Sequence, residues 1–155
     1  MHQQYLEQAI QLALDNVKQK QGGPFGAIIC QNNKIIARSS NTVTCDLDPT
    51  AHAEVMAIRQ ACQQLQSFQL TDCILYSSCE PCPMCLGAIY WARLKAVYFA
   101  CTQQQASAVG FDDSFIYQEI TQKPEQRHIP MQNLPLDSAM APFDAWSQQL
   151  DKTPY

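Results

Sequence analysis

The sequence predicts an α/β fold, a three-layer αβα sandwich around a central mixed five-stranded sheet. Three observations predict it. Apolar periodicity runs in the order helix, strand, strand, helix, strand, helix, strand, helix. The first two strands are joined by a short polar turn and are therefore antiparallel, whereas the later ones follow helical crossovers and are therefore parallel. Finally, 155 residues, of which 46% are apolar and 15% charged, suffice for one domain with a substantial core.

Each element has its own signal. Tyr5, Leu6, Ala9, Ile10, Ala13, Leu14 and Val17 recur at helical spacing, so residues 3–20 form an amphipathic helix that Gly22-Gly23-Pro24 stops. Runs 25–30 and 34–38 flank Gln31-Asn32-Asn33 and read as a hairpin. Residues 39–49 are polar and turn-rich, and a helix starts near Thr50 with Val55, Ile58, Ala61 and Cys62 on one face. A buried strand is expected over 73–78 and a helix over 81–91, with Pro81 in its first turn. Residues 95–101 form another strand, and Gln103-Gln104-Gln105 reads as solvated surface. Asp112 or Asp113 caps a short helix through Ile120. Beyond it the chain is dotted with Pro124, Pro130, Pro135 and Pro142, and holds at most one strand, at 128–131, and a last helix over 143–150. The whole chain, 1–155, is expected to be a single domain with an extended C-terminal arm from about residue 121.

Composition narrows the function. Fourteen acidic residues against ten basic ones give a charge of −4 and a pI near 5.2. This balance argues against a protein that grips nucleic acid by its phosphates and suits a small neutral substrate. No apolar run approaches the ~18 residues that span a bilayer, and Met1-His2-Gln3-Gln4 carries neither the cationic stretch nor the apolar run of a signal peptide. Eight cysteines are then expected to be thiols and metal ligands in a cytoplasmic protein, with Cys30, Cys73 and Cys101 as small buried hydrophobes.

Two motifs carry chemistry: His52-Ala53-Glu54, and Pro81-Cys82-Pro83-Met84-Cys85 about thirty residues later. Cysteines three apart in a first helical turn share a face, and the positive end of the helix favours their thiolates. With His52 they form a three-ligand set for tetrahedral zinc, leaving the fourth position open for water, as catalytic sites require. Two thiolates cancel the charge of the ion and leave its water in need of a base. Glu54, two positions from His52, points away from the ion toward the substrate side and is the candidate proton shuttle. Cys79 continues the three-residue spacing; were it a ligand too, the site would be closed and structural, but Glu80-Pro81 separates it from the helix.

Residues 48–54 and 75–92 resemble the cytidine deaminase-like superfamily, whose members share the H-x-E…P-C-x-x-C pattern. Gly110-Phe111-Asp112-Asp113-Ser114-Phe115-Ile116-Tyr117 and the aromatic C-terminus are similar, more narrowly, to its small bacterial guanine deaminases. The resemblance covers essentially the whole chain. It implies one zinc on His52, Cys82 and Cys85, hydrolytic deamination of guanine to xanthine and ammonia, and Glu54 as the acid/base carboxylate. It also implies a base-reading role for Asn41, a second carboxylate at Asp113, and Tyr155 closing the site of a neighbouring subunit in a homodimer with exchanged tails. Each assignment has a plainer counterpart. Asn41 lies where turn hydrogen bonding commonly places asparagine, one of Asp112 and Asp113 is an N-cap, and Phe25 and Trp91 either border a flat base or pack as core aromatics. The competing activities are deamination of cytosine, guanosine or adenosine in tRNA, and, in another class, a non-catalytic zinc module.

Overall fold

The computed structural model describes all 155 residues. It resolves into two compact units, Met1–Ser114 and Phe115–Tyr155.

The first unit is built on a four-stranded sheet in the order β2-β1-β3-β4. Strands β1 (Gly26–Gln31) and β2 (Lys34–Ser40) pair antiparallel with Gln31 opposite Lys34. The two intervening residues, Asn32 and Asn33, take positive φ of 49° and 61°. Two left-handed residues match the twist of the strands they join, and asparagine tolerates that region better than most side chains. Strand β3 (Cys73–Cys79) runs antiparallel to β1, and β4 (Ala96–Cys101) runs parallel to β3. The sheet is therefore mixed, as expected.

Helices cover both faces because the strands alternate. Ile28, Cys30 and Tyr76 point to one side and bury Ala9 of α1 (His2–Lys18). Ala27, Ile29 and Leu75 point to the other and pack on Ala57 and Ala61 of α3 (Ala53–Leu65) and Ile89 of α4 (Pro83–Trp91). Close approach of α1 to β1 requires Gly26, where a Cβ would overlap the Ala9 carbonyl oxygen. Cys30 and Cys73 are buried as expected, and Cys101 is half-buried.

Several expectations are corrected. The sheet has four strands and not five, because residues 128–131 direct their donors elsewhere. The His128 N–H donates to Glu119 Oε2 (2.6 Å), the Met131 N–H donates to the Pro124 carbonyl (3.1 Å), and Pro130 has no N–H for a ladder. Helix α3 starts at Ala53 and not near Thr50, since Asp48 Oδ1 accepts from both the N–H (2.8 Å) and the hydroxyl (2.7 Å) of Thr50 and holds it in a turn. Pro83, not Pro81, occupies the first turn of α4. Two short helices lie where turns and solvated surface were expected, α2 (Val43–Asp46) and α5 (Gln103–Ser107).

The second unit carries most of α6 (Ser114–Thr121), 3-10 turns at Pro124–Gln126 and Asp137–Met140, and α7 (Ala141–Gln148). None of its residues is buried. No helix in either unit is long and apolar enough to cross a membrane.

Candidate active site

The site assembles where two helices begin. His52 is the N-cap of α3 and Cys82 the N-cap of α4, and both are held in extended backbone as the chain enters the helix. Cys85 follows on the first turn of α4 and is fully buried. This brings His52 Nδ1 to 3.5 Å from Cys82 Sγ and 3.4 Å from Cys85 Sγ, with the two sulfurs 3.5 Å apart. In a tetrahedron with Zn–S near 2.3 Å and Zn–N near 2.05 Å, the corresponding edges are about 3.8 Å for S–S and about 3.6 Å for N–S. The triangle is within a few tenths of an ångström of one face of that tetrahedron, so the donor set fits zinc. Cys79, the last residue of β3, lies outside this cluster; its thiol faces the Thr102 carbonyl at 3.9 Å.

Electrostatics favour a cation there. The hydrogen bond shared with Cys85, followed by that with His52, pulls the Cys82 thiol down to about 4. The same bond with Cys82, together with burial, pushes Cys85 up. The hydrogen bond with Cys82 also raises His52. One proton thus leaves the sulfur pair readily and the second is retained by the first charge; a dication supplies the field that releases both.

Glu54, in the first turn of α3, is buried, and burial pushes its carboxyl up. Ser77 Oγ donates to its Oε1 at 3.3 Å. Glu54 and two of the three metal donors, His52 and Cys82, line a cavity of about 520 Å³, within the range of small-molecule sites. Gly23 and Phe25, just before β1, and Asn41, just after β2, line it as well. Asn41 Oδ1 accepts from the N–H groups of Gly23 and Val43, both at 3.3 Å, so the amide NH₂ is the group it can offer to a bound molecule. Its carbonyl accepts from Asn16 Nδ2 at 2.8 Å, and Gly22 is required beside it because a Cβ there would overlap that carbonyl.

Phe25 also lines the cavity and meets Phe111 edge to face, with ring centroids 4.9 Å apart. Asp112 and Asp113 divide in their contacts. Asp112 Oδ1 accepts from the Ser114 N–H at 2.9 Å and secures the turn into α6, while Asp113 Oδ1 accepts from Gln103 Nε2 at 2.5 Å within the cavity wall. Trp91 is not brought to the cavity. It is the exposed last residue of α4, about 13 Å of helical rise beyond Cys82. Tyr155 is the exposed last residue of the second unit.

Gln103, Glu80 and Phe111 line the cavity without having been given a role from the sequence. The available signal was Thr102-x-x-Gln105, a capping-box spacing that announces a helix start inside the glutamine run.

The model of the cytidine and deoxycytidylate deaminase zinc-binding region matches residues 1–101 and includes all three metal donors. The chain belongs to this family. Its cofactor is accordingly zinc, and the fold of the family is the mixed-sheet α/β layer structure described above. Among its relatives, the guanine deaminase of Bacillus subtilis is 53% identical over 154 residues, covering 99% of each chain. The X-ray structure of guanine deaminase from Bacillus subtilis superimposes with a TM-score of 0.99 over 100% of this chain and 99% of the other. Guanine deaminase from Nitrosomonas europaea gives a TM-score of 0.67 at 29% identity, covering 70% and 63% of the two chains. The tRNA-specific adenosine deaminase of Aquifex aeolicus is 41% identical over 86 residues, 56% of this chain and 57% of that one.

Proposed function

We propose that this zinc deaminase hydrolyses guanine to xanthine and ammonia, water replacing the 2-amino group. The observation that carries the reading is a three-donor zinc site beside a buried carboxylate in one cavity, within a chain 53% identical over its full length to a guanine deaminase. His52, Cys82 and Cys85 are assigned as the ligands. Zinc, when bound, supplies Lewis acidity that makes water a competent nucleophile near neutral pH. Glu54 takes one proton from the attacking water and gives it to a ring nitrogen, then takes the second from the resulting hydroxyl and gives it to the departing amine. Its burial suits the task, because a carboxyl held above its ordinary range is a stronger base toward the proton of the water. Asn41 offers its NH₂ to an acceptor on the purine edge, Asp113 accepts from the amino-bearing edge, and Phe25 borders the flat face.

The tRNA-directed alternative is the weaker one. Relatives of that type match 56–68% of the chain, and the net charge of −4 opposes a phosphate-binding surface. We assign a small purine base as the partner. A homodimer with exchanged C-terminal arms, Tyr155 closing the neighbouring site, suits the exposed apolar side chains of the second unit, among them Ile129, Leu134, Leu136, Phe143 and Leu150. Eight cysteines, none of them in a disulfide, suit the cytoplasm. Offering guanine, adenine, cytosine and guanosine to zinc-loaded protein, with ultraviolet absorbance and ammonia as readouts, tests the reading. Xanthine from guanine is expected; turnover of another base with guanine untouched would overturn it.

A further inference from the structure

We propose that Gln103 is a positioning residue for Asp113 and thereby helps to read the amino-bearing edge of the base. The inference rests on the guanine deaminase reading and adds to it a residue that no motif marks. Gln103 is the first residue of α5, whose start is fixed twice. Thr102 and Gln105 exchange capping-box hydrogen bonds, the Thr102 N–H donating to Gln105 Oε1 at 2.9 Å and the Gln105 N–H to Thr102 Oγ1 at 3.3 Å. The Gln103 N–H in turn donates to Glu80 Oε2 at 2.9 Å, and the Glu80 N–H donates to the Cys101 carbonyl at 2.8 Å. The backbone of Gln103 is therefore tied to the ends of β3 and β4, directly before the zinc helix.

After α5 the chain reverses at Gly110, whose φ of 99° favours glycine, and returns Asp113 to the Gln103 side chain. Nε2 donates to Asp113 Oδ1 at 2.5 Å. An ionised carboxylate only accepts, so the glutamine must turn its NH₂ to Asp113 and keep its own oxygen as an acceptor. Beyond the bond between them, the pair keeps the second carboxylate oxygen and the amide oxygen as acceptors, with one amide N–H left as a donor. Two acceptors against one donor favour an edge that brings N–H donors, as the amino and ring N–H groups of guanine do. The charge-assisted bond also fixes the rotamer of Asp113 before substrate arrives, which lowers the ordering cost of binding and of reaction.

The test compares wild type, Gln103→Leu, Gln103→Glu, Asp113→Ala and the Gln103→Leu/Asp113→Ala double variant, all as zinc-loaded full-length protein. Expected is a fall in kcat/KM for guanine of roughly 10- to 100-fold in Gln103→Leu, with zinc content and Tm unchanged. Gln103→Glu, which keeps the shape and the backbone bond to Glu80 but loses the donor, falls at least as far. Adding Gln103→Leu to Asp113→Ala costs less than about 2-fold more, because the two act as one unit. Near-wild-type turnover in Gln103→Glu, or losses that multiply in the double variant, would overturn the positioning role while leaving the deaminase reading intact. Wild-type protein that does not turn over guanine overturns both.

Discussion

His52, Cys82 and Cys85 are legible in the sequence because metal chemistry restricts both residue type and spacing, and the structure brings their donor atoms to within 3.4–3.5 Å of one another. Glu54 is legible for the same reason, being tied to His52 through the start of one helix. Gln103 was not, since nothing in a glutamine run distinguishes a side chain that meets a carboxylate across a reversed loop from one in water; only the fold brings positions 103 and 113 together. Trp91 lies outside the lining of the cavity. An aromatic beside a zinc motif suggests stacking, but helical rise carries it away from the cavity. Glu54→Gln is expected to bind zinc as wild type does and to lose roughly 10²- to 10⁴-fold in kcat, checked by metal analysis and steady-state assay on the same sample. Cys30 and Cys79 are held up to about 11 and about 12 by burial, so limited alkylation of the native protein at pH 8 should modify exposed Cys45 first and leave both unlabelled.

The elements followed their periodicity where one face is buried and departed from it where local hydrogen bonds compete. β1 and β2 alternate across a two-sided core, and the Asn32-Asn33 turn supplies the left-handed residues that hairpin needs. The start of α3, by contrast, was displaced by the Asp48–Thr50 turn, and the expected fifth strand was lost to Glu119 and Pro124 as hydrogen-bond acceptors. No apolar pattern reports such competition, which is why element ends were less legible than elements. Contact between α1 and β1 depends on Gly26, so Gly26→Ala is expected to destabilise the first unit by about 1–3 kcal/mol through overpacking against the Ala9 carbonyl. Chemical denaturation would report it as a lower midpoint with zinc binding retained in the native baseline.

At the scale of the molecule, the exposed apolar side chains of the second unit call for a partner surface, and a second copy is the partner we assign. Exchange of the arms, as proposed, would make each site depend on two chains. Glu54→Gln protein and protein lacking residues 151–155, each of low activity, should therefore regain about a quarter of wild-type turnover when unfolded and refolded together, since half of the dimers are mixed and each has one complete site. No regain on mixing would place Tyr155 outside the neighbouring site. Burial of Cys30 and Cys79 as thiols also sets an alkaline limit. Their folded pKa values lie above the ordinary value of 9.0, so their contribution is complete below pH 9 and lost as pH rises toward 11–12, where the unfolded chain alone gains by ionising. Denaturation midpoints should fall across that window, and less steeply in Cys30→Ala.

The central claim, that three side chains hold one catalytic zinc and leave Glu54 to move the protons, is tested most directly by titrating zinc into metal-free protein while following conversion of guanine to xanthine. Turnover should be absent at the start, rise in proportion to added zinc and saturate at one ion per chain. Full turnover by metal-free protein, or no turnover at one zinc per chain, would contradict it.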